Sequence, residues 1–80
     1  MGFRIKTALL PKVITNNGFE SIQFVSSACT YQEDDIQYAT PYYNPITGEY
    51  DVSKSMLYFG GSQTLLIDQT YDATEVELNA

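Results

Sequence analysis

The sequence predicts a small all-β domain over residues 1–80. It should contain six or seven short, mainly antiparallel strands arranged as an open barrel or a two-layer sheet. Three observations predict this. β-branched and aromatic residues dominate the chain, and Gly, Asn and Pro interrupt them at short intervals. Two reversal signals, Asn16-Asn17-Gly18 and Gly60-Gly61, sit between apolar runs. Several segments alternate apolar and polar residues, as a half-buried strand does.

Taken in order, Phe3-Arg4-Ile5-Lys6-Thr7 alternates cleanly. A strand there puts Phe3, Ile5, Thr7 and Leu9 on one face and Arg4 and Lys6 on the other. Pro11 is expected to limit or end it, because proline cannot donate to a ladder. Val13-Ile14-Thr15 runs into the Asn16–Gly18 reversal, and Phe19 to Val25 reads as the return strand. Its faces are ambiguous, with Ile22 and Phe24 on one side and Phe19 and Val25 on the other. Ser26 to Thr30 continues the strand or bends.

Glu33-Asp34-Asp35 is an acidic turn, followed by strand-like alternation at Ile36 and Tyr38. Asn44 to Glu49 reads as a loop, with Asn-Pro as initiator and Gly48 supplying a special backbone position. Tyr50-Asp51-Val52 can then pair back on Tyr42-Tyr43, with Tyr43 facing Tyr50. Met56 to Phe59, Gly60-Gly61 and Thr64 to Ile67 form the strongest hairpin signal. A competing reading of residues 53–59 is a one-turn helix, with Ser53 as N-cap and Gly60 as stop. Glu75-Val76-Glu77-Leu78 alternates and is expected to form an exposed edge strand, its charges discouraging unwanted pairing.

Charge is segregated. Arg4, Lys6 and Lys12 give the first twelve positions +3, while Lys54 and ten acids give the remainder −9, for a net charge of −6. Such a balance argues against a phosphate-binding surface, which needs clustered basic residues. The chain also lacks the usual staples of small domains. Cys29 is the sole cysteine and there is no histidine, so an intrachain disulfide and a structural zinc site are both excluded. A chain this short buries only roughly 60–65% of its unfolded surface. An efficient core or association with a partner is therefore expected to supply the margin. No signal-peptide pattern and no apolar run of membrane-spanning length is present, so a virion or cytoplasmic location is expected.

The catalytic inventory is thin, and the expectation is no enzyme, no cofactor and no metal. Without histidine there is no Ser-His or Cys-His pair. Cys29 has small neutral neighbours and reads as a small buried hydrophobe. Asp68-Gln69-Thr70-Tyr71-Asp72 begins like a calcium loop, but Ala73 stands where glycine is required and Asn79 where a bidentate glutamate belongs. Gly60-Gly61 lacks the lysine and helix of a phosphate loop.

Tyrosine is the remaining signal. Five of the seven, Tyr38, Tyr42, Tyr43, Tyr50 and Tyr58, fall between positions 38 and 58. Tyrosine joins apolar area to a polar tip and suits interfaces, although it is also a good strand residue. The candidate interface residues are Arg4, Lys6, Tyr42, Tyr43, Tyr50 and Tyr58. The expected function is a non-enzymatic structural or assembly protein. It would dock on a larger particle or self-associate within one, as a minor or decorating virion component. Its partners would be proteins or copies of itself, not nucleic acid or membrane. The alternative is an acidic phage-type inhibitor or nucleic-acid mimic that enters a basic groove of a host enzyme, steered by the −9 of residues 13–80.

Overall fold

The computed structural model of the chain describes residues 2–79. It contains strands β1 (Phe3–Asn16), β2 (Phe19–Gln32), β3 (Ile36–Asn44), β4 (Glu49–Phe59) and β5 (Thr64–Ile67), followed by helix α1 (Tyr71–Leu78). The strands form one open antiparallel sheet in the order β2-β1-β5-β4-β3. The two long hairpins, β1–β2 and β3–β4, are joined edge to edge by the short β5. No helix is long and apolar enough to cross a membrane among the described residues.

Five strands, four of them long, replace the six or seven short ones expected, and Pro11 accounts for part of the difference. β1 runs through Pro11 to Asn16 and pairs with β2 from Phe3↔Gln32 to Asn16↔Phe19 with no register shift. The turn at the tip has Asn17 at φ 53° and Gly18 at φ 81°, the paired positive values of a type I′ reversal. Such a turn closes on a hydrogen-bonded pair, here Asn16 and Phe19. Alternation from that pair turns the even-numbered amides of β1 toward β2 and the odd-numbered ones away. The Asp68 N–H donates to the Thr7 carbonyl at 2.8 Å on the β5 side, as this parity requires. Pro11 is odd-numbered, so its missing N–H faces the side where β1 has already left β5. The paired register of β1 with β5 is confined to Ala8↔Ile67.

The other turn readings match the structure more directly. Tyr43 lies opposite Tyr50, and β4 and β5 pair from Ser55↔Ile67 to Tyr58↔Thr64 across Gly60-Gly61. Gly61 takes φ 75° in a short 3-10 turn. Residues 53–59 are strand, not helix. Glu75 to Leu78, expected as an edge strand, is instead the second half of α1. The Thr70 hydroxyl caps that helix by accepting from the Ala73 N–H at 3.3 Å. Tyr71, Thr74, Glu75 and Leu78 fall at helical spacing and form the face turned to the sheet, while Val76 points outward and is exposed.

Helix and sheet enclose the core. Ala39, Leu57 and Ile67 are its buried centre, with Cys29, Tyr31, Ile36, Phe59, Leu65, Tyr71 and Leu78 packed around them. A polar circuit ties the helix down. Ser55 and Thr74, both buried, share a hydroxyl contact of 2.7 Å, and Ser55 also donates to the Gln69 carbonyl at 2.9 Å. The Gln69 amide donates to Thr74 Oγ1 at 3.0 Å. On the opposite face the sheet curls. Phe24 of the outermost β2 meets Tyr42 of the outermost β3 edge-on, with ring centroids 5.7 Å apart, and Lys54 Nζ lies 4.8 Å from the Phe24 ring centre.

The shape is extended, at 47 × 23 × 22 Å with a radius of gyration of 13.5 Å. A compact chain of this length has a radius of about 12 Å. The exposed surface is 5440 Å², against about 4,900 Å² for a compact monomer of the same mass.

Candidate interaction surfaces

The basic face of β1 is turned inward. Arg4 and Lys6 lie on the same side of the sheet as α1, and both are engaged by the chain's own acids. Lys6 Nζ donates to Glu77 Oε2 at 2.8 Å and to Gln69 Oε1 at 2.6 Å. Arg4 Nε pairs with Glu33, and its Nη1 lies 3.8 Å from Glu77. Glu77 thus sits between two cations, with Gln69 Nε2 donating to its other oxygen at 3.2 Å. Of the remaining cations, Lys54 pairs with Asp51 at 3.2 Å, and Lys12 is exposed on the projecting arm of β1.

These contacts set the titration of the cluster. Partial burial works to raise the Glu77 pKa, but the hydrogen bonds from Lys6 and Gln69 and the charges of Lys6 and Arg4 outweigh it, so the net shift is downward. Asp51 is also lowered, first by the Ser53 side chain and backbone and then by Lys54. The Tyr31 phenol is pushed up to about 12 by burial and by the nearby Glu77 charge. A lowered folded-state carboxyl pKa adds stability above the unfolded value and loses it as pH falls through the folded value. A raised phenol works on the other limb, since the unfolded chain ionises first. The melting temperature is therefore expected to hold level through neutral pH, fall below about pH 4 and fall again above about pH 10. Circular dichroism melts across pH check this, and Glu77→Gln should soften the acid limb. An acid limb as steep in Glu77→Gln as in the parent chain would refute the assignment.

The four candidate tyrosines are dispersed. Tyr42 is buried against Phe24, and Tyr58 is half-buried and stacked on Tyr38 at 4.4 Å. Tyr43 and Tyr50 form an exposed edge-on pair at 5.3 Å near the tip of the β3–β4 hairpin, beside exposed Ile46 and Val52. The structure therefore brings the pair Tyr43 and Tyr50 together, and holds Arg4 and Lys6 under the helix on a different part of the sheet.

Larger apolar exposures lie where no candidate residue was placed. With the unshifted β1–β2 register, Leu10, Ile14, Phe19 and Val25 share one face of the arm, and all four are exposed, Phe19 to 79%. Phe3 and Ile5 sit on the opposite face nearer the base and are 71% and 77% exposed. The separation of Ile22 and Phe24 from Phe19 and Val25 in the sequence was the available signal. The first pair is half-buried toward the curled face, and the second is open to solvent.

Among the described residues no group of three or more Cys, Asp or Glu side chains converges as metal ligands would. Cys29 is a free thiol packed against the core. Comparison of the chain with protein-family models, with curated proteins and with solved structures finds no match.

Proposed function

We propose that this chain is a non-enzymatic assembly protein that self-associates or docks within a larger particle, with a minor or decorating role in a virion as its context. One observation carries the reading: the chain exposes about 500 Å² more than a compact monomer of its size, and its exposed surface includes several apolar side chains on a projecting hairpin. A two-stranded arm has little independent stability in water, and packing against another surface supplies what it lacks. The Tyr43–Tyr50 pair with Ile46 and Val52 adds a second exposed apolar tip.

Sedimentation of the purified chain between about 1 and about 100 µM tests this, because association makes apparent mass depend on concentration. The expected result is a weight-average mass above 9.0 kDa that rises with concentration, or co-sedimentation with a particle of defined composition. A constant 9.0 kDa species that joins no particle would refute it.

A further inference from the structure

The two edges of the sheet differ in how well they can accept another strand. Natural edges are blunted by proline, lysine, bulges or short length. β3 carries several of these devices. It is nine residues long, contains Pro41 and has register irregularities at Ile36/Tyr38 and at Pro41/Tyr42. The Phe59 N–H donates to the Gln63 carbonyl on the β5 side at 2.9 Å, so alternation turns the odd-numbered amides of β3 outward. Position 41 is odd, and its proline removes one outward donor.

β2 carries none of them. It is fourteen residues long, has no proline and no lysine or arginine, and holds one charge, Glu20, beside the turn. Its pairing with β1 is unbroken. The parity set by the Asn17-Gly18 turn points the amides of Ser26, Ala28 and Thr30 away from β1, and all three residues are exposed. The centre of the strand, Ser26-Ser27-Ala28, is small and uncharged, so its side chains leave room for an approaching backbone beyond the Phe24–Tyr42 contact.

Building on the assembly reading above, we propose that the β2 edge pairs antiparallel with β2 of a second copy across a two-fold axis, merging two five-stranded sheets into one. Three observations select a second copy as the occupant. An antiparallel edge is self-complementary under a two-fold, each outward N–H meeting a C=O of the second copy and each outward C=O an N–H. The chain carries −6 overall, yet Glu20 is the one acid on this strand, so the centre of the seam, Val25 to Ala28, carries no charge. The strand runs unbroken for fourteen residues, and a second copy offers an edge of the same length and pattern. Because β3 is blunted, the pairing closes at two copies and does not propagate.

The parity designs the test. Ala28→Pro removes an outward N–H and no bond to β1, as an edge position tolerates. Each substitution acts twice in a two-fold dimer, so the dissociation constant in sedimentation equilibrium is expected to rise about tenfold or more, with the circular dichroism spectrum unchanged. Independently of any proline effect on folding, Val25→Cys and Ser27→Cys, each made with Cys29→Ser, place thiols at the two central non-hydrogen-bonded positions, each of which faces its own equivalent when the two-fold passes through it, without altering the backbone. At least one should form a disulfide-linked dimer on mild oxidation, while Thr40→Cys on β3 in the same background stays monomeric under denaturing conditions. Association that survives Ala28→Pro in a folded chain, or cross-linking from β3 equal to that from β2, overturns the edge and leaves the assembly reading standing. A parent chain that stays at 9.0 kDa and joins no particle overturns both.

Discussion

Replacing Leu57 by alanine is expected to unfold this chain or leave it close to unfolding at room temperature. Leu57 is fully buried near the end of β4, flanked by Ala39 on β3 and Leu65 on β5 in the paired registers. Truncating such a side chain costs about 2–5 kcal/mol, the loss of transfer energy plus an unfilled cavity. The whole chain, at 80 residues, commands roughly 4–12 kcal/mol. Few residues share the load. The buried hydrophobic set is Ala39, Tyr42, Leu57, Leu66 and Ile67, and no disulfide is available to limit the unfolded ensemble. Urea titration followed by circular dichroism reads the change as a lower midpoint. By contrast, Val76→Ala, at an exposed helical position, should leave the midpoint within experimental scatter. A Leu57→Ala midpoint equal to that of the parent chain would mean that the core lies elsewhere.

The same residues show which parts of the fold are legible in the chain and which are not. Local turn chemistry reads well. Asn17-Gly18 and Gly60-Gly61 each mark a real reversal, and the Tyr43–Tyr50 pairing follows once the Asn44–Glu49 loop is placed. Features that depend on a distant partner do not. Pro11 stops a strand only where its nitrogen faces a neighbour, and that depends on β1 leaving β5 after Ala8. The alternation of Glu75 to Leu78 matches a strand over four residues. Over Tyr71 to Leu78 the helical spacing of Tyr71, Thr74 and Leu78 holds, but it is hidden because a threonine occupies the apolar place. That threonine is buried because Ser55 and Gln69, 19 and 5 residues away in sequence, satisfy its hydroxyl.

Face assignment on β1 shows the limit most clearly. Alternation correctly separates Phe3 and Ile5 from Arg4 and Lys6, and apolar character argues for burying the first pair. The fold does the reverse at the base of the strand, leaving Phe3 and Ile5 exposed and holding the cations under α1. The acidic helix makes this arrangement favourable within one chain. It also leaves an apolar pair on the open face, part of the surface that distinguishes this molecule from a compact monomer. Sequence periodicity reports which residues share a face, and only the packing of α1 decides which face is covered.

Lys6→Glu is expected to release that helix. Lys6 and Glu77 are each mostly shielded from solvent, with side-chain exposures of 18% and 26%, and their 2.8 Å contact is reinforced by Gln69. Breaking a fully buried pair costs about 3–5 kcal/mol, and an exposed pair is worth at most about 1 kcal/mol. This half-buried pair lies between, and the reversed charge adds repulsion, for an expected loss of about 2–3 kcal/mol. The consequence should be local before it is global. Glu77 loses its nearest cation, Gln69 loses the donor that fixes its amide, and the Thr74–Ser55 contact loses its link through Gln69 to β1. Hydrogen exchange should accelerate first at the α1 amides, while the β1–β2 ladder, held by its own register, keeps its protection. The double reversal Lys6→Glu with Glu77→Lys should recover part of the loss, because Gln69 can donate to one charge and accept from the other. Uniform acceleration across helix and sheet, with no recovery in the double variant, would show that the ion pair does not latch the helix. Selective release of α1 would tie the basic start of β1 to the latching of a helix whose main packing is on β3 and β4.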